Sequence, residues 1–172
     1  MMADTNDDGA RGILRQVART FDDAVPNLYR TLADSPVALE TFVRFEEILE
    51  RRGSLSRDEH AIVALEVALL NDCAYCRGVF SREAREAGVG QDTLEAVLDG
   101  LDPGRIRYRV LLSATRRLMS EKGRLGRAEV TLLEERGLPF GELLEIIAII
   151  GAFTVATYAN NLAHTRIDPE YR

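Results

Sequence analysis

Apolar residues recur at intervals of three and four along nearly the whole chain, and no stretch alternates with a period of two. An interval near 3.6 gathers apolar side chains on one face of a helix, whereas a strand needs a period of two, so the pattern specifies an all-α fold. Ile13, Leu14, Val17, Ala18 and Phe21 form the first such series, and Val25-Pro26 ends it. A short helix is expected over 27–33. Ser35 ahead of Pro36 has the pattern of an N-cap with proline at the first helical position, opening a helix that runs to Arg52 and closes at Gly53. Ser56 with Glu59 three residues on is a capping box, launching a helix over 61–70 with the stripe Ile62, Leu65 and Leu69. A further helix should reach Ala87 and stop at Gly88 and Gly90, followed by helices over 92–98, 105–121, 127–136 and 140–165. Gly100, Pro103-Gly104, Gly123, Gly126 and Gly137-Leu138-Pro139 are the breakers between them.

A chain of 172 residues suits a single domain with a real core, and 46% hydrophobic with 29% charged residues describes a soluble globular protein. The net charge is −6, and Arg51-Arg52 and Arg116-Arg117 are interleaved with acids, which excludes a nucleic-acid partner. Residues 1–9 are acidic and polar with no apolar core of a secretory signal. Residues 1–10 are therefore expected as a disordered tail and 11–172 as the helical domain. The longest apolar run, from Ile146 to Tyr158, has thirteen residues. A membrane helix needs about 20, so the run is expected to be a buried core helix, with no membrane partner. Within it Gly151, Ala152, Ala156 and Ala159 form a small-residue strip suited to close helix approach, including across a subunit interface. The absence of a signal and the low cysteine count point to a reducing, cytoplasmic setting.

The two cysteines stand three apart, in Asn71-Asp72-Cys73-Ala74-Tyr75-Cys76. At a helix start this spacing places both sulfurs on one face, within reach of a disulfide, and the helix N–H groups favour a thiolate. The reading is a dithiol that cycles. The plain alternative is two small buried hydrophobes. A zinc site would need four ligands, and one C-x-x-C with no H-x-x-x-H argues against it. Glu66 is a candidate base, seven residues before Cys73 on the same helical face and set in an apolar stretch that would raise its pKa. Its alternatives are the exposed edge of its helix or an ion pair with an arginine across an interface. His60 is expected in an exposed first turn as a solvated residue. His164 is expected as a structural hydrogen-bonding histidine, although it is the one imidazole that could fold back over the thiols. Tyr75 and Tyr158 are read as packing residues, with hydroxyls that could approach the sulfurs.

Several pieces in order carry a family resemblance: Val25-Pro26-Asn27-Leu28, Leu32-Ala33-Asp34-Ser35-Pro36, Gly53-Ser54-Leu55-Ser56-Arg57-Asp58-Glu59, Leu70-Asn71-Asp72-Cys73-Ala74-Tyr75-Cys76, Gly137-Leu138 and the segment Asn160–Pro169. Over about 24–169 the chain resembles the alkylhydroperoxidase AhpD-like, or carboxymuconolactone decarboxylase, family. The resemblance implies an α-helical homo-oligomer that reduces hydroperoxides without a bound cofactor, its thiols reset by a disulfide reductant. It implies that Cys76 attacks and Cys73 resolves, whereas the helix dipole favours charge on the more N-terminal Cys73. The chain departs from the family at two relay positions: Phe80 stands where the family has a histidine, and Ala61 where it has a glutamate. The expected function is a thiol peroxidase or thiol–disulfide oxidoreductase. The alternatives are a non-catalytic or redox-sensing helical oligomer and, below these, a lactone decarboxylase.

Overall fold

The helix Arg57–Leu70 has no polar side to offer solvent between Ala61 and Ala68, because each of those residues is at most 3% exposed. A helix apolar all round belongs inside a bundle. The computed structural model describes residues 3–21 and 24–172. In chain order the helices are α1 (Ala3–Thr20), α2 (Asn27–Leu32), α3 (Pro36–Arg52), α4 (Arg57–Leu70), α5 (Ala74–Glu86), α6 (Gln91–Leu98), α7 (Ile106–Ser120), α8 (Arg127–Glu135) and α9 (Phe140–Ala163), followed by a 3-10 turn at Pro169–Tyr171. The central α4 packs on α5, α7 and α9, and α3 closes over α9. Leu39, Phe42, Ile62, Leu65, Leu111, Leu112, Ile146 and Ile149 fill the core. Each such side chain contributes roughly 1.5–3 kcal/mol by leaving water. Residues expected as a tail are helical from Ala3 onward, and Ala10 is already buried.

The caps form as the sequence indicates. Ser35 Oγ accepts from the Ala38 N–H at 3.4 Å, and Glu59 Oε2 accepts from the Ser56 N–H at 3.1 Å to complete the capping box. Gly53 closes α3 with its N–H on the Leu49 carbonyl at 2.9 Å.

Helix α9 is long and apolar enough to cross a membrane by length and composition, with a mean hydropathy of 1.8. In the fold, Leu143, Ile146, Ile149, Ala152, Phe153, Ala156 and Asn160 face the core. Phe140, Leu144, Ile147, Tyr158 and Leu162 stand exposed on its other side. The expected core helix is thus buried along one face only. The small-residue strip divides likewise, with Ala152 and Ala156 turned inward and Gly151 facing open space.

Two chain reversals position the site. Between α4 and α5 the backbone turns at Asn71-Asp72, with Asp72 in the left-handed region at φ 49° and the Cys73 N–H returned to the Ala68 carbonyl at 2.9 Å. After α9, His164 ends the helix at φ 50° and the chain doubles back along α5. Asp168 then accepts from Tyr75 Oη at 2.6 Å and from the Asn27 N–H at 3.1 Å. The 3-10 turn lies so close to α5 that a Cβ at Gly78 would collide with the Tyr171 carbonyl oxygen. Only glycine allows that approach.

Candidate active site

Cys73 is the N-cap of α5, with extended backbone at φ −100° and ψ 99°. Its Sγ accepts a hydrogen bond from the Cys76 N–H at 3.2 Å, the position a serine or aspartate oxygen takes in an ordinary cap. Cys76 follows in the first turn, and Asn160 of α9 donates from Nδ2 to its Sγ at 3.3 Å. Both cysteines are free thiols, each 2% exposed. The hydrogen bond from the Cys76 thiol, reinforced by the backbone N–H, lowers the Cys73 pKa to about 7 despite burial. The same bond and burial push Cys76 upward. One proton is therefore shared between two sulfurs, and Cys73 holds the charge.

The amide of Asn160 is fixed by this contact at the expense of its other end. Asn160 Oδ1 is a buried acceptor left without a partner among the described residues. Neighbouring residues lock the same joint, since Asn161 Nδ2 donates to the Asn71 carbonyl at 2.8 Å and Asn71 Nδ2 to Thr157 Oγ1 at 3.0 Å.

A cavity of about 60 Å³ adjoins Cys76. Its inner wall is Phe42, Phe80, Phe153 and Ala156, and half-buried Phe21, Glu46, Glu83 and Tyr171 border its outer part. Tyr29 Oη donates to Glu46 Oε2 at 2.8 Å. Burial raises the Glu46 pKa to about 8, and that of Glu83 to about 7. At neutral pH the thiol therefore shares a small, largely aromatic cavity with two carboxyl groups that retain much of their protons.

The candidates named from sequence separate accordingly. Cys73 and Cys76 come together at a helix start. Glu66 is buried, but its carboxylate is taken by Arg116 of α7, with Nε at 2.6 Å and Nη2 at 3.3 Å. It does not line the cavity at Cys76. An arginine partner was one of its two alternatives, and here that arginine belongs to the same chain. Phe80, at the expected histidine position, stacks edge-on against Phe153 with centroids 4.5 Å apart. Ala61 is core. His60 is half-buried rather than solvated: its ring packs edge-on to Phe153 at 5.7 Å, and burial lowers its pKa. His164 is exposed and lines a separate open cleft of about 570 Å³ with Arg30, Arg166 and Arg172, so it supplies no imidazole to the thiols. The Tyr75 hydroxyl is engaged by Asp168, and Tyr158 is 62% exposed. Among the described residues no group of three or more His, Cys, Asp or Glu side chains could hold a metal ion.

Sequence reasoning passed over Asn160, Glu46 and Glu83 as site residues. Glu83 lies seven residues after Cys76, the interval that singled out Glu66 on the other side. Glu46 sits four residues after Phe42 and three before Leu49, on the apolar face of α3 where a carboxylate is out of place.

Residues 36–104 match the model of the carboxymuconolactone decarboxylase family. The fold is similar to that of an alkylhydroperoxidase AhpD core, an uncharacterised peroxidase-related protein from Ralstonia eutropha JMP134. The TM-score is 0.84 at 21% identity, over 95% of this chain and 87% of that one. A peroxidase-related protein from Silicibacter sp. TM1040 is similar at a TM-score of 0.79 and 20% identity, over the same shares of the two chains. No curated protein matches the sequence. The chain is a single-domain, all-helical protein of the AhpD-like fold. The match to the carboxymuconolactone decarboxylase family covers residues 36–104, and the similarity to the AhpD core is one of fold.

Proposed function

We propose that this protein is a thiol peroxidase, or more broadly a thiol–disulfide oxidoreductase, acting through Cys73 and Cys76. The observation that carries the reading is the pair of free thiols at the start of α5, with the Cys76 N–H on Cys73 Sγ and Cys76 opening on a cavity. Cys76 is the thiol a peroxide can reach, and Cys73 is the base beside it. As Cys76 passes its proton to Cys73, its sulfur attacks the terminal oxygen of a hydroperoxide, an S–O bond forms and the O–O bond breaks. The leaving oxygen takes up one proton to become an alcohol, or water when the substrate is hydrogen peroxide. The Cys73 thiol then displaces hydroxide from the Cys76 sulfenic acid, giving a disulfide and water. A disulfide reductant resets the pair by thiol exchange, which fits a cytoplasmic, reducing setting. This assignment reconciles the family's attacking cysteine with the charge on Cys73.

The cavity of about 60 Å³ at Cys76 is small and largely aromatic, which favours hydrogen peroxide and small alkyl hydroperoxides as substrates. The exposed apolar side of α9 is consistent with assembly into a homo-oligomer.

A second reading, an inert or merely oxidation-sensing helical protein, is favoured by the 2% exposure of both cysteines and by Phe80 at the relay position. Stopped-flow mixing with hydrogen peroxide, with thiols counted before and after, separates the two. Loss of both thiols to an intramolecular disulfide supports the peroxidase. Thiols that stay reduced at millimolar peroxide end that reading.

A further inference from the structure

The peroxide step above needs a proton for the departing oxygen, and neither sulfur is suited to give it. The proton leaving Cys76 goes to Cys73, where it is needed for the condensation that follows. The imidazole that the family would place one turn after Cys76 is Phe80, closed off against Phe153. The other polar groups on the cavity are Tyr29, Tyr75, Tyr171, Glu46 and Glu83. Tyr75 is bound to Asp168, and the Tyr29 hydroxyl is directed at Glu46.

We propose that Glu46 is the general acid of the peroxide step, protonating the oxygen that leaves as the S–O bond forms at Cys76, with Glu83 as the second acid of the same cavity. The inference rests on the peroxidase reading and adds to it a donor from α3 and α5 that the family's relay positions do not contain. Glu46 is oriented for the task. Tyr29 Oη occupies one of its oxygens, so the proton of the neutral acid sits on the other. The Glu83 carboxyl makes no hydrogen bond or ion pair among the described residues and stands half-buried on the cavity, where it can exchange protons with solvent. In one turnover Glu46 gives its proton to the alkoxide or hydroxide and is left as a carboxylate. Solvent, through Glu83, restores it.

The groups around this pair account for its protonation. Burial is the main cause at Glu46, helped by the charges of Glu83 from α5 and Glu50 on its own helix and opposed by the Tyr29 hydrogen bond. At Glu83 burial again dominates, with Arg57 of α4 opposing and Glu86 assisting. Tyr171, with Arg82 against its ring, completes the surroundings. The base on Cys73 and the acid on Glu46 therefore titrate in neighbouring ranges, and a rate that needs both should be bell-shaped in pH.

The test uses the full chain and two oxidants, hydrogen peroxide and peracetic acid. Peracetic acid expels acetate, which needs no proton. Glutamine at position 46 imitates the neutral acid in size and polarity but cannot donate as an acid. Glu46→Gln should slow oxidation by hydrogen peroxide about 100-fold at pH 7, remove the alkaline fall of the rate and leave oxidation by peracetic acid within about twofold of the unaltered protein. Glu83→Gln, by removing a negative neighbour, should move the alkaline fall to lower pH. The proposal is overturned if Glu46→Gln oxidises at the original rate with hydrogen peroxide, or if both oxidants slow equally, which would mark a packing role. If the unaltered protein keeps both thiols with either oxidant, the peroxidase reading itself fails, and that outcome is separate from the other two.

Discussion

A serine at position 73 would accept the Cys76 N–H as the sulfur does, so helix capping alone does not call for a cysteine there. What oxygen cannot do is hold a thiolate near neutral pH and close on a second sulfur. Cys73→Ser should therefore keep stability within about 1 kcal/mol, lower the peroxide rate roughly 100-fold by removing the base, and leave Cys76 unable to form an intramolecular disulfide. Thermal melts, stopped-flow rates and thiol counts check the three parts. Glu66 makes the opposite case. Its ion pair with Arg116 is structural, so Glu66→Gln should cost about 2 kcal/mol in denaturant unfolding and leave the peroxide rate of the folded protein unchanged. A large loss of rate at full stability would restore Glu66 to the site. Glu66 and Glu46 occupy like positions in the sequence, since each interrupts an apolar helical face. What separates them is the partner across the interface, an arginine of α7 in one case and a tyrosine in the other. A face pattern marks that a carboxylate is buried, but the compensating residue lies 50 positions away for Glu66 and 17 for Glu46, and no local rule finds it.

Helix boundaries were legible because they are written locally. The Ser35-Pro36 start and the glycines after α5 place α3 and α5 within two residues of where they lie, and the Ser56–Glu59 box marks the start of α4, which begins at Arg57, four residues before the expected 61. The return of the chain after α9 was not legible, because it depends on a fit between distant backbones. Gly78 reads as an undistinguished helical glycine, yet it admits the Tyr171 carbonyl to the surface of α5. Alanine there should raise helix propensity by about 1 kcal/mol. The collision outweighs that gain, so Gly78→Ala should destabilise by about 1–3 kcal/mol and free the 3-10 turn. A lower melting temperature with earlier proteolytic loss of the C-terminal residues is the expected result. An unchanged or raised melting temperature would show that the turn does not bear on α5. The exposed row Phe140, Leu144, Ile147, Tyr158 and Leu162 is another feature that periodicity does not show, since an unbroken apolar run does not reveal that only one side of α9 meets the core.

Across the whole molecule, two acids raised by burial set the trend of stability with pH. For Glu46 the folded pKa of about 8 lies above the ordinary 4.5, so its contribution is full below 4.5 and is lost as pH rises towards 8; Glu83, at about 7, acts in the same sense. Asp58 runs the other way: its pKa, lowered to about 2 by bonds from Ser56, Tyr108 and Arg105 that outweigh its burial, makes its contribution full above 3.8 and lost as pH falls through 2. Glu46→Gln should accordingly be more stabilising at pH 8 than at pH 5, measured by denaturant unfolding, and an equal effect at both would mean that the acid is not raised. The account as a whole depends on where the single proton of the thiol pair resides. A pH titration of thiolate ultraviolet absorbance tests this directly in the native protein and in Cys73→Ser. The account predicts one thiolate appearing with a midpoint near 7 in the native protein and disappearing with Cys73→Ser. No thiolate below about pH 8.5, the ordinary value for a free cysteine, would contradict it.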